Sequence, residues 1–152
     1  MSTLMEKTTT DLMNTLQGAS PAQVERYFQE NFAHGQPTFV GYMDQLLAQK
    51  QMKRQDVLLR ANLPQKYGYK LLSGESHTTD RNKLLRICFA MHLSLKETQR
   101  VLKLYGMSEL YPKNQRDVAL IVALGRRQFD IDQVSEALEA QGLEPLYTPE
   151  AD

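Results

Sequence analysis

The residues of this 152-residue chain best suited to chemistry are lysines and arginines, and they are concentrated in one stretch. Residues 50–86 hold nine Lys or Arg and three Asp or Glu, a formal charge of +6. The flanks are acidic: residues 1–49 have two basic and five acidic groups, and residues 87–152 have seven basic and ten acidic groups, so each flank carries a formal charge of −3. The three charges sum to zero, so the net charge of the whole chain does not show this pattern. A cationic segment between acidic flanks is typical of a surface that binds phosphate groups.

The remaining reactive side chains do not form a catalytic or metal-binding pattern. The single Cys88 cannot form an internal disulfide, and it falls on an apolar helical stripe, which predicts a buried core thiol. The histidines His34, His77 and His92 are too scattered to predict a zinc site. The sequence contains no glycine-rich phosphate loop, nucleophile elbow or carboxylate pair with a base. We therefore expect a protein that is not an enzyme and that uses no metal and no cofactor.

The same features bear on where the protein works. A single cysteine favours a reducing compartment. No apolar run approaches the ~20 residues that span a bilayer, and residues 1–10 (MSTLMEKTTT) lack the basic and then apolar layout of a signal peptide. These features predict a soluble, cytoplasmic protein with no membrane partner.

Helices are expected to position the cationic segment, because apolar residues recur with a 3.6-residue period and alternating strand patterns are missing. Capping boxes mark two helix starts, one formed by Ser20 with Gln23 and one by Ser94 with Glu97. Proline and glycine signals divide the rest of the chain. The pattern predicts an all-α protein with helices at 10–17, 21–32, 39–50, 53–61 and 64–73, followed by helical hairpins at 80–111 and 115–147.

An internal repeat with an offset of 36 residues supports the last two hairpins. The matching pairs include Leu102 with Leu138 and Gly106 with Gly142. The helices that precede these residues also correspond, so we assign the run 118–124 to a helix at 115–127, although its propensity alone would suit a buried strand. Two similar hairpins stacked to share a core are therefore expected.

Two short helices joined by a tight turn at 53–74, with flanking helices to cover them, have the layout of a helix-turn-helix. The segments KRQDVLLRANLPQKYGYKLLSGE (53–75) and DRNKLLRICFAMHLSLKETQRVL (80–102) resemble the phage-repressor-like helix-turn-helix domain of the XRE family of bacterial transcriptional regulators. The resemblance covers residues 39–106, with a less specific match over the C-terminal hairpin. It implies a lambda-repressor-like five-helix module at 39–110 that binds double-stranded DNA.

The resemblance also implies roles for individual residues, with the helix at 64–73 as the recognition helix in the major groove. Glutamine and lysine side chains can pair with base edges, and tyrosine can donate to the backbone or stack on it. The residues expected to contact bases are Gln65, Lys66, Tyr69 and Lys70. The residues expected to contact phosphates are Lys50, Lys53, Arg54, Ser73, His77, Arg81 and Lys83. The alternative for the two lysines of the helix is a merely solvated face.

Four positions depart from the family pattern. Leu58 stands where the family usually has alanine, and Gly68 stands where a β-branched residue faces that alanine. We interpret these two as a paired exchange that keeps the total volume. Asn62 replaces the turn glycine, a mild change because asparagine tolerates the left-handed conformation. Pro64 stands at the usual polar cap and is expected to be the first helical residue.

These patterns divide the chain into an N-terminal helical extension (1–38), the helix-turn-helix domain (39–110), and a C-terminal helical hairpin with an acidic tail (111–152). The expected function is sequence-specific binding of double-stranded DNA to regulate transcription. The hairpin is expected to hold a homodimer together or to bind another protein. The alternative is a protein-interaction adapter that keeps the helix-turn-helix scaffold but has lost DNA binding, which the neutral charge and the altered motif favour.

Overall fold

A computed structural model of the chain describes residues 13–14, 17–31 and 38–149. Every regular element in these ranges is a helix, which confirms the all-α prediction. The chain divides into two compact units, Met1–Thr38 and Phe39–Asp152.

The first unit contains helix α1 (Pro21–Asn31). Its start has the predicted capping box, because the Ser20 N–H donates to Gln23 Oε1 (2.7 Å) and the Gln23 N–H donates to Ser20 Oγ (3.3 Å). Of the helix expected at 10–17, positions 13, 14 and 17 are helical, and the rest lies outside the described residues.

Seven helices follow among residues 38–149. They are α2 (Phe39–Gln49), α3 (Arg54–Arg60), α4 (Gln65–Ser73), α5 (Arg81–Ala90), α6 (Leu95–Tyr105), α7 (Gln115–Gly125) and α8 (Ile131–Ala140). The helix α7 confirms that residues 118–124 are helical despite their strand propensity. The expectation for Pro64 was wrong: it is the N-cap, with an extended ψ of 137°, so α4 begins at Gln65.

Helix α5 is the centre of the second unit. All seven residues at 84–90 are buried. The helix packs against α3, α6 and α8, while α2 packs against α4 and α6, and α7 packs against α6 and α8. Cys88 is fully buried in α5, as predicted, and burial raises the pKa of its thiol to about 12. Among the described residues, no helix has both the length and the apolar character needed to cross a bilayer.

Three consecutive hairpins share one kind of turn. Asn62, His92 and Arg127 follow α3, α5 and α7 in the left-handed conformation, with φ of 57–58°. In each turn the next N–H donates to a carbonyl five residues earlier in the helix, as Leu63 does to Leu58 at 3.0 Å. Helices α3 and α4 are therefore joined by the same turn geometry as the two hairpins of the sequence repeat, α5–α6 and α7–α8.

The contact between Leu58 and Gly68 brings α3 and α4 close together. Leu58 is fully buried, and a Cβ atom at Gly68 would overlap Leu58 Cδ2 and lie 2.7 Å from Cδ1 and 2.9 Å from Cγ. The leucine side chain thus occupies the space that a larger residue at position 68 would need. This geometry agrees with the interpretation of the two residues as a paired exchange.

We expect Gly68→Val to lower the free energy of unfolding by about 1–3 kcal/mol, because it overpacks this contact. Denaturant unfolding followed by circular dichroism measures the change. The matched control is Gly125→Val, since a Cβ atom there meets nothing within 4 Å, and its effect should stay within about 0.5 kcal/mol. In the double variant Leu58→Ala/Gly68→Val the two losses should be clearly less than additive; full additivity would contradict the paired exchange.

Candidate nucleic-acid interface

Helices α3 and α4 pack against each other, and their neighbours hold both of them in place. The helix α3 contacts α5, and α4 contacts α2. The turn between them is anchored by Ala61 and Leu63, which are both buried. Asn62, between these two residues, adopts the left-handed backbone conformation. The body of the second unit therefore fixes the orientation of α4.

One face of α4 is directed outward. Lys66 and Ser73 are exposed, Tyr69 is 40% exposed and Lys70 is half-buried, and these residues follow the i, i+3, i+4, i+7 spacing of a single helix face. The opposite face carries the buried residues Gly68, Leu71 and Leu72. Within the described part of the chain, neither lysine has an ion pair or a side-chain hydrogen bond. Both ammonium groups are therefore available to an external anion.

Two other polar residues of α4 are partly engaged within the protein. Gln65 is half-buried, and its Nε2 donates to the carbonyl of Gln55 at 3.0 Å. Its second amide hydrogen and its carbonyl have no partner among the described residues. The Ser73 hydroxyl donates to the carbonyl of Lys70 at 3.2 Å and accepts from the N–H of Glu75 at 3.4 Å. This hydroxyl therefore helps to end α4.

Three of the expected phosphate contacts lie on elements that flank α3 and α4. Lys53 is exposed at the N-cap of α3, and its ammonium group has no ion pair or hydrogen bond among the described residues. Lys83 Nζ lies 4.8 Å from the ring centroid of Tyr67, so α5 brings this cation beside α4. His77 is exposed, and its ring stacks on Tyr105 with the centroids 4.5 Å apart.

Two further expected phosphate contacts already have carboxylate partners. Lys50 Nζ lies 3.3 Å from Glu97 Oε1, and both side chains are about a quarter exposed. Arg54 Nη2 lies 2.7 Å from Asp44 Oδ1, and both are about half exposed. Surface pairs of this kind contribute only about 0–1 kcal/mol, so a phosphate can compete for the cation.

Arg81 has a different place in the structure. Its Nη1 and Nη2 donate to the two carboxylate oxygens of Asp117 at 2.9 and 3.0 Å, and it also donates to the carbonyls of Ser108 and Glu109. Asp117 is buried, so this bidentate pair fixes the segment between α6 and α7. The structure does not bring Arg81 to the outward surface beside α4 as an available donor.

Arg86 was not among the residues expected to matter, yet it holds the turn before α4. This residue of α5 is only 2% exposed. Its Nε donates to the carbonyl of Ala61 at 2.9 Å and its Nη2 to the carbonyl of Asn62 at 3.3 Å, while its guanidinium carbon lies 4.9 Å from the ring centroid of Tyr147. One signal could have revealed it, since it is the only charged residue in the otherwise apolar run LLRICFAM at 84–91.

Among the described residues, no group of three or more His, Cys, Asp or Glu side chains could hold a metal ion. The outward face of α4 carries ammonium, amide and phenol groups, which can donate hydrogen bonds to phosphates and to base edges.

Replacing Arg86 should destabilise the second unit, because the carbonyls at the turn would lose buried donors. We expect Arg86→Met to lower the free energy of unfolding by about 2–5 kcal/mol, measured by denaturant unfolding. The control is Tyr147→Phe, which keeps the ring beside the guanidinium and should change stability by less than about 0.5 kcal/mol. An Arg86→Met protein as stable as the wild type would show that the guanidinium does not hold the turn.

Comparison of the chain with protein-family models, with curated proteins and with solved structures found no match.

Proposed function

We propose that the protein binds double-stranded DNA through α4 and regulates transcription, with α2–α6 as a lambda-repressor-like module of the XRE type. The observation that carries the proposal is the outward face of α4, on which Lys66 and Lys70 have no carboxylate partner among the described residues. The contacts of α3 with α5 and of α4 with α2 support this orientation of the face.

Electrostatics supports the proposal. The ammonium groups of Lys53, Lys66 and Lys70 carry charge that no described carboxylate neutralises, and Lys83 adds a cation beside Tyr67. A helix that carries cations on one face fits the major groove, where backbone phosphates lie on either side. The half-exposed Arg54 can exchange Asp44 for a phosphate at little cost. Together these residues would place five cations against the duplex.

Base recognition would come from the same helix. Gln65 keeps one amide hydrogen and its carbonyl for an adenine edge, although its other hydrogen is held by Gln55. Tyr69 and Lys70 lie on the outward face, and the lysine can donate to guanine O6 and N7. The phosphate contacts would set the register, and these side chains would supply the preference for sequence.

A second candidate is the adapter that has lost DNA binding. The observation that favours it is the fate of three of the expected phosphate-binding cations: Lys50, Arg54 and Arg81 all have carboxylate partners within the chain. An adapter would keep the same scaffold, and these cations would serve to form ion pairs within the fold. The two functions differ in their affinity for duplex DNA.

Fluorescence anisotropy with a mixed-sequence duplex at two salt concentrations tests the proposal. A protein that neutralises about five phosphates should lose roughly 500-fold in affinity between about 50 and 200 mM salt. Lys66→Ala and Lys70→Ala should each weaken binding and lower the salt slope by about 1. The matched control is Lys113→Ala, which removes an exposed lysine just before α7 whose ammonium group has no partner among the described residues.

Sequence recognition needs a separate measurement. Selection of bound duplexes from a random pool should give a preferred site for the wild type, and Gln65→Ala should relax the preference at one base pair of it. A protein without duplex affinity even at low salt would be the adapter. Equal losses for Lys113→Ala and Lys70→Ala would place the interface elsewhere.

A further inference from the structure

The outward side of α6 carries a row of cations, which we call the cationic ridge. The buried residues of this helix lie on its other side: Thr98, Val101 and Leu102. Opposite to them, at the i, i+4, i+7 spacing of one helix face, are Lys96, Arg100 and Lys103. Both lysines are exposed, and the half-buried Arg100 lies over the ring of Tyr42 at 5.8 Å. None of the three cations has an ion pair among the described residues.

The outward side of α8 carries a matching row of carboxylates, the acidic ridge. Its buried residues include Val134, Ser135 and Leu138. On the opposite side, again at i, i+4 and i+7, are the exposed residues Asp132, Glu136 and Glu139. Asp132 also lines a pocket with Arg60 and His92 but forms an ion pair with neither. In the described part of the chain the other two carboxylates are unpaired as well.

The sequence repeat relates the two ridges residue by residue. With the offset of 36, the matching pairs are Lys96 with Asp132, Arg100 with Glu136, and Lys103 with Glu139. Both helices follow a left-handed turn residue, His92 or Arg127, and both begin at a side-chain cap. Equivalent helices of the two hairpins therefore present the same pattern of charged positions with opposite sign.

The spacing lets one ridge lie along the other. Each ridge spans seven residue steps, or about 10.5 Å of helix at 1.5 Å per residue. In a parallel arrangement the three charge pairs are those of the repeat. In an antiparallel arrangement the outer pairs are exchanged, while Arg100 still lies opposite Glu136. A second copy of the chain thus offers a complementary surface in either direction.

We propose that copies of the chain associate by placing the cationic ridge of one copy against the acidic ridge of another. Nucleic acid would fit the cationic ridge alone, whereas a second copy accounts for both ridges. Exposed ion pairs are individually weak and are screened by salt, so the association is weak and favoured by low ionic strength. The ridges contain no residue of the proposed DNA-binding face, so their test is independent of DNA binding.

Sedimentation equilibrium of the full chain without DNA, from about ten to several hundred micromolar, tests the proposal. The average mass of the wild type should rise above that of one chain at about 50 mM salt and fall back toward it at about 500 mM, where the Debye length is only a few ångströms. Arg100→Glu and Glu136→Arg should each weaken association at least about fivefold, because each places like charges at the centre of the interface. The double variant should recover most of the loss.

The matched control is Lys113→Glu, which makes the same change in net charge at an exposed lysine outside both ridges and should leave association unchanged. Lys96→Glu/Lys103→Glu tests the cationic ridge without altering the contact of Arg100 with Tyr42. Circular dichroism should show wild-type helical content for every variant.

Four results would overturn the proposal: a wild type that stays monomeric at low salt, an association that salt does not weaken, equal losses for Lys113→Glu and Lys96→Glu/Lys103→Glu, or no recovery in the double variant of Arg100 and Glu136. A monomeric wild type whose binding to duplex DNA is weakened by Lys96→Glu/Lys103→Glu would instead assign the cationic ridge to nucleic acid.

Discussion

A buried guanidinium group sets the arrangement of the second unit. Removing a cation from water is costly unless its donors find partners, and Arg86 donates to the carbonyls of Ala61 and Asn62. The two carbonyls belong to the C-cap residue of α3 and to the left-handed Asn62 that follows it. Tyr147 covers the other side of the group. One side chain thus connects the central helix, the turn that orients α4, and the C-terminal segment.

In the cationic stretch at 50–86 most arginines are bound within the fold and most lysines have no carboxylate partner among the described residues, with Arg54 and Lys50 as the exceptions. Several of its arginines donate to backbone carbonyls or to a buried carboxylate inside the fold, as Arg60, Arg81 and Arg86 do. Lysines of the same stretch remain without carboxylate partners at the surface, as Lys53, Lys66 and Lys70 do. The planar guanidinium suits paired oxygens at fixed positions, whereas the flexible ammonium suits a mobile phosphate. Net charge along the sequence therefore overstates the charge available to a ligand.

Local signals made most of the helices predictable, because the groups that end a helix lie within a few residues of it. The capping box of Ser94 and Glu97 is present as the sequence indicates, with bonds of 2.9 and 3.1 Å. The 36-residue repeat predicted that α7 is a helix, although residues 118–124 alone have the propensity of a strand. Contacts between residues far apart in the sequence could not be predicted. Arg81 binds Asp117, 36 residues away. Arg86 is buried, although arginine side chains are usually exposed. Both depend on tertiary packing, which one sequence without its fold does not reveal.

The full burial of Cys88 has a practical consequence for work on this chain. Only the thiolate attacks maleimides and similar reagents, and a thiol with a pKa of about 12 is almost wholly protonated near neutral pH. It is also out of reach of such reagents in the folded state. A cysteine introduced at an exposed position would therefore react alone, so fluorophores or spin labels can be attached at one chosen place without first removing the native sulfur.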